Sequence, residues 1–305
     1  MDMDTVRSWK TNVVKFWPLY IMVLPGFVFL VMFKVVPLLG TVIAFQDFQI
    51  FRGIADSPWV GLKHFESFFE YSNFSRVFMN TVIIGGLKLL IGFPFPIILA
   101  LMINEVRQIF FKRTVQTISY LPHFFSWVII AGLTFDILSA GGIVNEIRSW
   151  FGADPILFMQ KAGYFRFIVV LTGIWKEAGW GTIVLLAALS GINPQLYEAA
   201  TVDGAGRFKQ MWFITLPLLM PTVVILFLLN IGSFLDIGFE QVYNLLTPMT
   251  YEVGDIIDTY VYRAGIVEGQ YSLSTAIGIF QSVIGLVLIV SCNKLSKKVS
   301  GEGLW

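Results

Sequence analysis

Glu198-Ala-Ala-Thr-Val-Asp-Gly-Ala-Gly206, followed by Ile214-Thr-Leu-Pro217, is a short polar stretch set between two strongly apolar ones. It is introduced by Asn193-Pro194, a side chain that caps helix starts followed by the residue that suits a first helical position. A short helix is expected over about 194–205. Ala199 and Ala200 are small and let another surface approach closely, and Glu198 and Asp203 supply charge. Gly204 and Gly206, with Ala205 between them, end the helix and turn the chain. Phe213-Ile-Thr-Leu-Pro217 then leads back into apolar sequence, so residues 190–212 read as a connection between two buried segments.

The rest of the chain says what those segments are buried in. Of 305 residues, 56% are hydrophobic and only 13% charged, and the mean hydropathy is +0.75. Soluble domains are nearer 45–50% apolar and about 25% charged. This composition is that of an integral membrane protein, and the six helical spans read below make the expected fold class all-α. The net charge of +1 carries no nucleic-acid footprint. One cysteine, Cys292, excludes an internal disulfide, and two histidines, His64 and His123, supply a metal site poorly.

A helix needs roughly 20 residues to cross the hydrocarbon core. Six segments qualify, at about 18–45, 77–103, 120–139, 167–189, 213–235 and 273–292. The first is longer than the apolar core of a signal peptide and reads as a retained span. Pro94, Pro96 and Gly92 inside the second are tolerable because neighbouring helices re-satisfy freed backbone groups. The expected organisation is a cytoplasmic segment 1–17, a six-helix domain 18–292 and a cytoplasmic tail 293–305.

Lys and Arg favour the cytoplasmic side. With the N-terminus inside, the inner segments hold eleven: Arg7, Lys10, Lys15, Arg107, Lys112, Arg113, Arg207, Lys209, Lys294, Lys297 and Lys298. The longer outer segments hold seven, and the last of them is acidic. Both termini are therefore expected to be cytoplasmic. The outer loops are rich in aromatic residues, and Ile143, Val144, Ile147 and Trp150 share one face of an expected surface helix at 142–151.

Several stretches together resemble a known family. They are Glu198 to Gly206 with Ile214, Leu216, Pro217 and Pro221, together with Phe33-Lys-Val-Val-Pro37, Trp59-Val-Gly-Leu-Lys-His-Phe65, and Lys112 through His123. Further matches are Gly173-Ile-Trp-Lys176, Gly179-Trp-Gly181, Gly238-Phe-Glu-Gln-Val242 and Asp258-Thr-Tyr-Val-Tyr-Arg263. The chain resembles carbohydrate-type ABC importer permeases of the type I fold, in the branch that handles oligosaccharides and polysaccharide fragments. The resemblance covers nearly the whole chain. It implies a second, related permease, two ATPase subunits that hold ATP and Mg, an extracytoplasmic solute-binding protein and a bilayer. It also implies that Glu198, Ala199, Ala200, Asp203, Gly204 and Ala205 form the coupling loop gripped by the ATPase, and that this chain binds no cofactor.

The same resemblance places the sugar near mid-membrane, between the helix before the coupling loop and the helix after it. The matching positions are Lys176, Glu177, Trp180, Asn230, Ser233, Phe234 and Asp236. Aromatic faces stack on sugar C–H surfaces, and amide, hydroxyl and charged groups reach hydroxyls. Charged residues within spans are costly and face cavities or pair with one another. Lys34, Lys88 and Lys176 are such residues; for Lys34 and Lys88 a structural partner or snorkelling is the expected role. A Lys176 facing the passage matches an acidic cargo such as alginate or pectin fragments.

No Gly-Lys-Ser/Thr phosphate loop and no credible Ser/His/Asp arrangement appears, so no catalytic residue is assigned. Gly204-Ala-Gly206 lacks the third glycine and the preceding strand of a dinucleotide fingerprint. The main alternative is an ion-coupled secondary transporter, which predicts internal repeats and buried carboxylates. No repeat is evident, and Asp136 and Glu177 are the available carboxylates. A receptor or scaffold predicts a soluble module, which the short ends do not provide.

Overall fold

The structure, a computed structural model, describes the backbone of residues 3–301 and 303–304 and the side chains of residues 15–298, 301 and 303–304. Arg7 and Lys10 of the expected inner set, and Glu302 and Trp305 of the expected tail, have side chains outside the described residues. The described chain is almost wholly helical, with one isolated backbone bridge between Gln46 and Trp59.

Among the described residues, six segments are long and apolar enough to cross a membrane: Lys15–Phe45, Phe74–Glu105, Trp127–Trp150, Ala162–Ser190, Arg207–Gly232 and Tyr271–Lys298, here spans 1 to 6. Span 1 stands largely off the bundle, with only 6% of its apolar window buried. It touches span 6 chiefly through its tight last turns, Gly40–Phe45. Span 4 is at the centre, packing on spans 2 and 5 and on the chain before span 3.

The third crossing departs from the expected continuous helix at 120–139. It is built from a helix Ile109–Tyr120, a tight turn Leu121–Phe124 and a second helix Trp127–Leu138. Pro122 cannot donate to the helix ladder, and Ser126 restarts it by accepting from the Ile129 N–H at 3.3 Å. A separate short helix, Ile143–Trp150, occupies the stretch where a surface helix was expected.

This break leaves carbonyls without helical donors, and span 4 supplies them. Lys176 is 7% exposed. Its Nζ donates to the carbonyls of His123 at 2.6 Å and Phe125 at 2.7 Å, and it lies 5.5 Å from the Trp127 ring centroid. One turn away the two chains nearly touch: a Cβ on Gly179 would sit 1.9 Å from the Ser119 carbonyl oxygen, so only glycine fits. Lys176 is thus the pin of the broken span.

At the end of the bundle away from the 193–210 connection, the long loops fold into short helices that form a cap. They include Phe239–Leu245, Tyr251–Gly254 and Ile257–Tyr262. Ile84, Phe165, Ile168, Val242, Leu245 and Ile256 form a buried cluster beneath them. A polar network ties the cap down. Asn80 of span 2 donates to the carbonyls of Glu252 and Asp255 and accepts from Arg166 of span 4. Asp255, 1% exposed, accepts from Arg263 at 2.9 Å and from Thr259 at 2.8 Å.

Two outcomes are expected. Replacing Arg263 with Met strands a buried carboxylate and costs about 3 kcal/mol or more. Replacing Lys176 with Met strands two carbonyls and costs about 1.5–3 kcal/mol. Thermal unfolding of the detergent-purified protein reads both as a lowered midpoint, and an unchanged midpoint for either variant would show that its bonds contribute nothing.

Candidate coupling loop and membrane cavity

The connection between spans 4 and 5 forms the nine-residue helix Pro194–Val202. Asn193 caps it, its Oδ1 accepting from the Gln195 N–H at 3.0 Å. The helix is shorter than the expected 194–205 because Gly204 takes a left-handed conformation, φ +77°. The Ala205 N–H then reaches back to the Ala200 carbonyl at 2.8 Å and closes the end. Glu198, Ala199, Asp203 and Gly204 are exposed, while Ala200 and Ala205 are half-buried.

Two side-chain contacts, neither foreseen from the sequence, fix this helix to span 5. Tyr197 Oη lies 3.0 Å from Thr215 Oγ1, near the start of that span. Gln210 donates from Nε2 to Thr201 Oγ1 and to the Ala205 carbonyl, both at 2.9 Å. The Pro194–Val202 helix and the fifth crossing are therefore braced on each other.

Between spans 2, 4 and 5 lies a cavity of about 570 Å³. Of the residues expected along the passage, Glu177, Trp180, Asn230, Ser233, Phe234 and Asp236 line it; Lys176 does not. Lys176 is committed to the span-3 break, because its ammonium finds carbonyl acceptors there that a continuous helix would not offer. Trp180 is half covered as well. The His123 ring stacks on it at 4.4 Å and 3°, and His123 Nδ1 lies 2.9 Å from Glu177 Oε2. His123 was not expected at the site; its place is set by the break after Tyr120.

Span 5 also ends earlier than the expected residue 235. The helix stops at Gly232, and residues 233–238 run as an unwound strip along the cavity. Its backbone is held from three sides. Lys88 of span 2 donates to the Ile237 carbonyl. Asp258 accepts from the Ile237 N–H at 3.3 Å, and Gln281 of span 6 donates to the Leu235 carbonyl at 3.3 Å and to Asp258 at 2.9 Å. Burial pushes the Asp258 carboxyl above the usual carboxylate range; the Gln281 hydrogen bond opposes this and the nearby Asp236 charge adds to it.

Lys88 thus has a structural partner, as expected, while also lining the cavity. Gln241 lines it too, fully buried, with Nε2 donating to the Val169 carbonyl and to Thr172 Oγ1. Its Oε1 has no donor among the described residues. Lys34 is exposed on span 1, and Asp136 is exposed near the end of its helix. The carboxylates that face cavities are Glu177, Asp236 and Asp258. No cluster of metal ligands occurs among the described residues. The arrangement offers aromatic faces, hydroxyls, amides and charges around a void, which suits the binding of a polar organic molecule.

Comparison with known proteins agrees with this geometry. Residues 92–301 match the family described as "Binding-protein-dependent transport system inner membrane component". The chain is 50% identical over 288 residues to the polygalacturonan/rhamnogalacturonan transport system permease protein YteP of Bacillus subtilis (strain 168), covering 94% of this chain and 90% of that one. It is 44% identical over 299 residues to Protein LplB of the same organism, covering 98% and 94%. Its fold matches a chain of the bacterial alginate ABC transporter solved in complex with an alginate pentasaccharide-bound periplasmic protein. That match has a TM-score of 0.88 and 42% identity, covering 98% of this chain and 100% of that one. These similarities displace the ion-coupled alternative: the chain belongs to the binding-protein-dependent transport family and is an inner-membrane permease subunit of an oligosaccharide ABC importer, with the ATPase on a separate subunit.

Proposed function

We propose that this permease passes acidic, uronate-containing oligosaccharides through the cavity between spans 2, 4 and 5. The observation that carries the substrate class is the pair of similarities to a polygalacturonan/rhamnogalacturonan permease and to an importer of the acidic polysaccharide alginate. Chemistry supports it at Lys88. Its ammonium has three donors, one given to the Ile237 carbonyl, leaving others for a cargo carboxylate. Asn230, Ser233 and Asp236 meet hydroxyls, and Trp180 offers an aromatic edge and its uncovered face.

Coupling is proposed at the Pro194–Val202 helix. Glu198 and Ala199 are exposed, and the segment is rigid by its caps and braces, which suits docking on an ATPase. The full assembly in this reading contains a second permease, two ATPases holding ATP and Mg, and the binding protein, with both termini of this chain cytoplasmic. ATP-driven closure of the ATPases supplies the differential binding energy that moves the spans between two states.

Two experiments test this. In cells expressing the whole transporter, uptake of labelled trigalacturonate is expected to be suppressed by excess alginate trisaccharide and left intact by neutral galactotriose. Suppression by galactotriose alone would reject the acidic-cargo reading. Separately, Glu198→Lys is expected to lose most of the ATPase on copurification in mild detergent while keeping the second permease. Full ATPase recovery would move the docking surface elsewhere.

A further inference from the structure

A second cavity, about 660 Å³, lies on the other side of the unwound strip 233–238. It is bounded by the strip, by the helix Ile257–Tyr262 and the turn after it, and by the first turns of span 6. Topology puts it nearer the capped end of the bundle than the first cavity. Both voids fall in the volume range of small-molecule sites, roughly 300–1,000 Å³.

The lining of this cavity combines aromatic rings with hydroxyl, amide and carboxyl groups. Phe239 and Tyr262 face it, their rings 4.9 Å apart, and Tyr243 backs both at 5.0 and 5.1 Å. The rings are tilted against one another, Phe239 and Tyr262 at 37° and Tyr243 and Tyr262 at 64°, and place aromatic surface beside polar groups. Asp258 and Gln281 are engaged with the strip and with each other. Ser233 and Asp236 are different. They are the two residues common to both cavities, and neither side chain makes a hydrogen bond with any described residue. A void in a membrane bundle that presents two carboxylates is a poor place for lipid tails, and such groups mark polar pathways.

We infer that the second cavity is a further sugar subsite, joined to the first across Ser233 and Asp236, so that successive units of one oligosaccharide occupy the two cavities. The inference rests on the proposal that sugar passes through the first cavity. The ring cluster stacks on one unit, Ser233 and Asp236 hold hydroxyls at the junction, and the next unit enters the space beside Trp180. The subsite selects for chain length, since a short sugar fills only one cavity.

The test uses the complete transporter in cells and two labelled series, galacturonides and neutral galactosides, each as dimer and pentamer. The series imported by the parent decides the acidic-cargo reading. The pentamer-to-dimer uptake ratio within that series decides the subsite. Tyr262→Ala removes the platform, and Ser282→Trp fills the cavity from an exposed position on span 6 while leaving the ring cluster in place. Both variants are expected to lower the ratio by roughly tenfold, the loss of about one good ring contact. An unchanged ratio in Ser282→Trp, whether total uptake falls or not, overturns the subsite. Loss of the second permease from Tyr262→Ala on copurification, with an unchanged ratio in Ser282→Trp, identifies the cluster as a subunit interface instead.

Discussion

Inside a membrane, a backbone carbonyl that leaves its helix must find a donor from the protein, because the hydrocarbon offers none. Much of this structure is a response to that constraint. One crossing is interrupted, at 121–126, and another leaves its helix early, after Gly232, and each departure is answered by a lysine from a neighbouring span. Lys176 satisfies the first at His123 and Phe125, and Lys88 satisfies the second at Ile237, with Gln281 adding Leu235. The strip after Gly232 lines both cavities. Lys88, Asp258 and Gln281 both hold the strip and line the cavities.

This explains which parts of the molecule were legible in the sequence. The spans are carried by hydropathy and length, which are local. The coupling helix is carried by Asn193, Pro194 and Gly204, whose capping and left-handed preferences are also local. Six of the seven expected passage residues border one void, because their distance along the helices from the coupling loop fixes their depth in the bundle. The seventh, Lys176, sits at the same depth but turns to the broken span. A charge in a span announces that it needs a partner; it does not say whether the partner is cargo or backbone. That depends on where another segment unwinds, which hydropathy does not report.

The residues that went unseen share a cause. Asp258, Gln281, Gln241 and His123 come from four separate stretches, and the places they take depend on the strip 233–238 and the turn 121–124. Asp258 and Gln241 sit in the long connection between spans 5 and 6, which looks like solvent-facing loop by composition. It folds instead into a cap whose polar side chains, Asp255 and Arg263 among them, satisfy buried groups. Only the placement of that cap converts an acidic loop into part of a cavity wall.

The braces of the Pro194–Val202 helix carry a mechanical consequence. Tyr197 and Gln210 attach it to the start of the fifth crossing, and the far end of that crossing runs directly into the strip between the two cavities. At 1.5 Å per residue, the Arg207–Gly232 segment is a rod of roughly 39 Å. A small tilt imposed at one end is a larger lateral sweep at the other. A displacement of the Pro194–Val202 helix would therefore be carried along the fifth crossing to the strip that divides the two voids.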